Sequence, residues 1–155
     1  MTTRLALAVV TVLSLAACGR SFEIKTPRRF VELEEGYSDY EYRATTADGV
    51  VVGVRQVEID PDKGGSVDFW VEAIEQRMRQ VGGYALLETK PATARGGLRG
   101  KQLRFGRDEG EVPYRYWVTM FLDDDVLYII EAGGKEDVFT RAQRDVEALI
   151  RSLEP

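Results

Sequence analysis

The chain has no histidine and a single cysteine, Cys18. Those two facts remove most familiar chemistry. Without histidine, no side chain titrates unperturbed near neutral pH, so there is no Ser-His or Cys-His pair and no imidazole ligand for zinc. Any metal site must be built from oxygen. The one dense run of acids, Asp123-Asp124-Asp125, lacks the alternating acids, glycine and distal glutamate of a calcium loop. It reads as a solvated hairpin tip. Gly96-Gly97-Leu98-Arg99-Gly100 lacks the Gly-Lys-Ser/Thr of a phosphate loop and the spacing of a dinucleotide turn, so it reads as a turn. Paired carboxylates hydrolyse glycosides, but among 26 acids abundance singles none out. Tyr114, Tyr116 and Trp117 would form an aromatic ligand site only on a shared face. On a strand 114 and 116 point one way and 117 the other, so core packing is expected. The expectation is no enzyme, no metal and no cofactor.

The lone cysteine has a different chemistry in view. Arg4 is the only charge before Arg20, and a 13-residue apolar run follows it from Leu5 to Ala17, broken only by Thr11 and Ser14. A spanning helix needs roughly 20 apolar residues, so this run is too short. A positive start, a short apolar core and small residues at the end mark a secretory signal peptide over residues 1–17. Leu15-Ala16-Ala17-Cys18 resembles the lipobox of bacterial lipoproteins. That resemblance implies alkylation of the Cys18 thiol with diacylglycerol, cleavage before it, and acylation of the new amine, with palmitate as the usual kind of chain. Two or three acyl chains hold a protein stably where one does not. The alternative is a secreted protein cut after Ala17 with an incidental cysteine. With Cys18 acylated, no thiol remains for a disulfide. The expected address is the cell membrane or outer membrane, facing periplasm or exterior; the resemblance to lipoproteins implies, from Gly19 in place of Asp after the cysteine, the outer membrane in a Gram-negative cell.

Residues 18–29 read as a lipidated tether, and 30–155 as one domain. Arg20, Lys25, Arg28 and Arg29 oppose only Glu23, so the tether either touches anionic headgroups or is a plain solvated linker. The domain's charge is uneven. Glu32 to Glu75 carries 12 acids and 3 bases, Arg77 to Arg107 carries 8 bases and one acid, and Asp108 onward carries 12 acids and 5 bases. One reading is a positive patch of Arg95, Arg99, Lys101 and Arg104 for an anionic envelope partner. The other is basic strands pairing with acidic neighbours. Besides the membrane itself, a protein partner in the envelope is the expected contact. Nucleic acid is not, in an exported chain of net charge −5.

The elements that position these residues follow from period. Phe30 to Ala44 suggests one or two short strands, Thr46 to Gly49 a turn, and Val50 to Ile59 a β-branched strand. Val67, Trp70, Val71, Ile74, Met78 and Val81 share a helical face, capped by Ser66 in front and Gly82-Gly83 behind. Tyr84 to Thr89 reads as a strand, Pro91 to Gly97 as a loop, and Lys101 to Arg107 as a half-buried strand. Tyr114 to Leu122 and Val126 to Glu131 read as a hairpin, Gly133-Gly134 as the end of the sheet, and Val138 to Leu153 as a second amphipathic helix. The class is α+β, an antiparallel sheet with two packed helices.

That order resembles the PsbP-like and Mog-like superfamily of α/β/α sandwiches, which includes small lipoproteins of the DcrB and LpqN kind. The resemblance rests on Asp48-Gly49 before the valine-rich strand, Phe69-Trp70 opening the first helix, Gly83-Tyr84 after it, and Gly96 to Leu103 before the next strand. It rests also on the Tyr114 to Ile130 hairpin and the closing helix. It implies binding or assembly and carries over no catalytic residue. The expected function is a lipid-anchored envelope protein with a non-enzymatic binding or assembly role. The alternative is a small-molecule module with its ligand between sheet and helix.

Overall fold

The computed structural model describes residues 20–34, 39–60, 62 and 64–155. The expected signal peptide and Cys18 lie outside them, as do Tyr37 and Pro61. In chain order come β1 (Phe30–Glu32), β2 (Tyr42–Thr46), β3 (Val51–Glu58), α1 (Val67–Gln80) and β4 (Ala85–Thr93). Then follow β5 (Arg99–Glu109), β6 (Val112–Asp123), β7 (Val126–Lys135) and α2 (Glu136–Arg151). The strands form one antiparallel sheet in the order β1-β2-β3-β7-β6-β5-β4.

Alternation along the strands sends apolar side chains to both faces, and each face receives a helix. On one, Val52, Val54, Trp117, Phe121, Ile130 and Ala132 pack under Val138, Phe139, Ala142, Val146, Leu149 and Ile150 of α2. On the other, Leu103, Phe105, Val118, Met120, Leu127 and Ile129 pack under Val67, Trp70, Val71, Ile74 and Met78 of α1. Full burial of such side chains contributes roughly 1.5–3 kcal/mol each. Helix α1 begins where the Ser66 hydroxyl accepts the Phe69 N–H at 3.3 Å, satisfying one of the free N-terminal donors. It ends where Gly83 turns the chain at φ 65°.

Three expectations are corrected. The chain stays extended through Pro91 to Thr93, because β4 is an edge strand with one side free of partners, where proline is tolerated. Gly133 and Gly134 do not end the sheet; they continue β7 opposite Tyr116 and Arg115. Residues 20–29 are not a free tether. Phe22 and Ile24 are buried in the α2-side core, and Glu23 exchanges backbone hydrogen bonds with Glu154 at 2.7 and 2.9 Å. Two alternating apolar residues are too short a signal to read as a strand.

Candidate functional site

The two helices do not cover their faces equally. Helix α1 packs mainly on β4, β5 and β6, and among the described residues no helix covers β2, β3 and the end of β7 on its side. Register places Arg43, Gly53 and Glu131 in one row across β2, β3 and β7, and Val51, Gly133 and Tyr116 in the next across β3, β7 and β6. A cleft of about 420 Å3 opens there, lined by Tyr40, Tyr84, Tyr114, Tyr116, Arg43 and Glu131 among others. That volume is within the range of small-molecule sites.

The glycines make room for the rings. A Cβ on Gly53 would come within 2.6 Å of the Tyr40 ring, and one on Gly133 within 2.8 Å of the Tyr116 ring. Both rings lie close over the strands in consequence, the use to which an interior strand glycine is put. Tyr84 arrives from the end of α1. Its N–H closes on the Met78 carbonyl at 3.1 Å, and its ring settles 5.4 Å from that of Tyr116. The Arg107 guanidinium stands 5.5 Å from the centre of the Tyr84 ring.

Glu131 is the hub. Tyr40 donates to its Oε2 at 2.6 Å and Tyr116 to its Oε1 at 2.9 Å, while Arg55 Nε stands 3.5 Å from Oε2. The two phenol bonds are charge-assisted, shorter and stronger than neutral ones, while Arg55 is held as an ion pair without a hydrogen bond from its Nε. Burial, and then the bond to Glu131, push the Tyr40 pKa up to about 12. Burial and the Glu131 charge raise that of Tyr116 as well. At neutral pH both phenols therefore keep their protons and act as donors. At the rim, Arg115 pairs with Glu136. Among the described residues Arg43 forms no ion pair, so it is the cation left for a ligand.

The expected basic patch is not assembled. Lys101 and Arg104 fall on opposite faces of β5, because residues three apart on a strand point opposite ways. Lys101 pairs with Asp68 of α1. Arg104, its side chain 15% exposed, bonds Gln102 at 2.7 Å, Glu147 at 3.1 Å and its cross-strand partner Glu88 at 3.2 Å. Its guanidinium sits 3.8 Å from the centre of the Trp117 ring. Arg95 pairs with Glu154 at 2.8 Å, and Arg99 lies at the exposed start of β5. Three of the four thus pair with acids, only Arg104–Glu88 doing so across neighbouring strands, and Arg99 forms no ion pair among the described residues. Cys18 lies outside the described residues. Asp123-Asp124-Asp125 forms the tip of the β6–β7 hairpin, Asp124 at φ 49°.

Tyr114 and Tyr116 share a face, with Trp117 on the other, buried in the α2-side core; both tyrosines line the cleft, and Tyr116 also packs, partly buried, against the α1-side core as expected. Sequence reasoning passed over Tyr40, Arg55, Glu131, Gly53 and Gly133. The available signal was a glycine inside each of two β-branched runs, with an acid two residues before the second.

By sequence, neither a family model nor a curated protein matches the chain. By structure it is similar to LpqN of Mycobacterium tuberculosis, a protein involved in cell envelope biogenesis. The TM-score is 0.68 at 11% identity, over 91% of this chain and 88% of that one. It is similar also to the cyanobacterial PsbP of Synechocystis, with TM-score 0.59 at 14% identity, over 96% and 98%. A variant of Mog1 gives 0.54 at 12%, over 83% and 87%. The fold is of the PsbP and Mog1 kind. Such identities carry the fold alone, and the cleft's chemistry rests on its own residues. No described helix is long and apolar enough to cross a membrane.

Proposed function

We propose that this chain is a lipid-anchored cell-envelope protein whose domain binds a ligand or partner and does not catalyse a reaction. The cleft carries the reading. Its two best-placed hydroxyls are neutral donors already committed to Glu131, which suits recognition and supplies neither a nucleophile nor a base. Its volume favours the small-molecule form of the reading, with the ligand on the sheet beside α1. The short apolar leader ending in Leu15-Ala16-Ala17-Cys18 supports the anchor, and the fold shared with an envelope-biogenesis protein supports the compartment. Intact-mass spectrometry of membranes from cells expressing wild type and Cys18→Ala tests the anchor. A chain beginning at Cys18 with acyl mass added, lost in the variant, is the expected result. An uncut or unacylated wild-type chain contradicts it.

A further inference from the structure

We infer that the anchor and the cleft face opposite ways, so that the cleft takes its ligand from the aqueous side and not from the headgroups of the bilayer holding the chain. This rests on the lipid anchor proposed above. The chain next to Cys18 is pinned from its first described residue. Arg20 bonds Glu32 at 2.6 Å, Ser21 donates to Gln56 at 2.6 Å, and the Lys25 N–H donates to Ser152 Oγ at 2.9 Å. Phe22 is 3% exposed, with its ring edge-on to Tyr128 at 6.0 Å between centres.

These partners share the α2 side of the sheet, Glu32 at the β1 edge in the row of Ala44 and Val52, and Gln56, Tyr128 and Ser152 toward the lower end of β3. Phe22 and Ile24 belong to the α2-side core, and Gln56 pairs with Tyr128 near the lower end of β3. Arg20 to Glu23 and Glu154 to Pro155 line one shallow hollow there. The cleft is on the other face, around Val51 and Gly133, which pair five residues further up β3. Five residues of strand span about 17 Å, with the thickness of the sheet added. Cys18 is two residues from Arg20, and two extended residues reach about 7 Å. An acylated Cys18 therefore holds the α2-side corner against the headgroups, with too little slack to roll the domain over. Either resting pose, on that end or on the α2 face, leaves the cleft away from the bilayer.

The test uses the full acylated chain in phosphatidylcholine–phosphatidylethanolamine vesicles containing a lipid with a spin-labelled headgroup. Because the only native thiol is acylated, one new cysteine gives one labelling site. Pro155→Cys reports the anchor corner, and Glu111→Cys, at the exposed turn between β5 and β6, reports the far end. The same fluorophore should be quenched several-fold more at 155 than at 111. A flexible Gly-Ser insert of about 20 residues after Gly19, with a reach of about 25 Å, should erase that difference. Equal quenching, stronger quenching at 111, or no quenching at either site in a chain whose mass shows the acyl groups overturns the orientation. A mass without acyl groups, taken on the same sample, is the separate failure of the anchor itself.

Discussion

The α2 face of the sheet carries a buried apolar core under its helix, while the α1 face is covered over β4 to β6 and open over β2 and β3. The difference is visible along one strand. Val52 and Val54 on the α2 side are fully buried; Val51, next to Val52 but on the other side, is 39% exposed, and Gly53, two residues on from it on that same side, carries no side chain at all. A closed face is what stability requires, since packed interiors are dense and void-free. An open one holding aromatic rings, a clasped carboxylate and a spare arginine is what recognition requires. Arginine behaves differently on the two sides as well. Arg104 on the closed face is bonded to three side chains and stacked on Trp117, whereas Arg43 on the open face has no ion-pair partner among the described residues.

The contrast can be broken by mutation. Phe139→Ala on the closed face removes a ring packed 4.9 Å from that of Trp117 and should cost about 3–5 kcal/mol in denaturant unfolding. A cost below about 1 kcal/mol would mean that face is not the packed core described. On the open face, Glu131→Ala leaves two phenols without their acceptor and Arg55 without its ion-pair partner, and should cost about 1–3 kcal/mol. It should also lower the Tyr40 pKa, though burial will hold it above its ordinary value.

The same clasp makes stability depend on alkaline pH. Below pH 10 the folded and unfolded chains both hold the Tyr40 proton. Above it the unfolded chain releases the proton at the ordinary value of 10.0, while the folded chain keeps it to about 12. Rising pH therefore favours unfolding through that window, and Tyr116 acts in the same direction. Melting temperature followed from pH 8 to 12 should fall less steeply in Tyr40→Phe than in wild type. Superimposable curves would contradict a Tyr40 phenol held protonated by burial and by its bond to Glu131. The smallest effect is expected on the solvent side of α1, where Arg79→Ala breaks an exposed pair with Glu75 and should change stability by less than about 0.5 kcal/mol.

Local chemistry made much of the fold legible. Ser66 and Gly83 bound α1 as their capping preferences require, and the odd–even rule divided Tyr116 from Trp117 correctly. Pairing across the sheet was harder to read. The clasp joins Tyr40 to a residue 91 positions away, and no period in a sequence reports a contact of that kind. Gly133-Gly134 looked like an ending because glycine usually weakens a strand; it is retained here because the Tyr116 ring occupies the space of a side chain. Phe22 and Ile24 were lost in a basic, proline-containing stretch whose composition resembles a linker, though their burial decides their place. The basic patch failed for the opposite reason. Clustering in sequence put Lys101 and Arg104 together, and a strand put them on opposite sides.

The measurement that bears most directly on the open face is native mass spectrometry of the full chain extracted from membranes of its own cells, with whatever acyl groups the proposed anchor supplies, compared with Val51→Trp. Val51 lines the cleft and lies outside both cores, so an indole there fills the cleft and leaves the fold standing. The wild-type chain should carry a small-molecule mass beyond its acyl groups, and the variant should lose it with its melting temperature unchanged. A wild-type chain with no such mass, or one that both chains keep equally, would contradict the cleft as the site of binding.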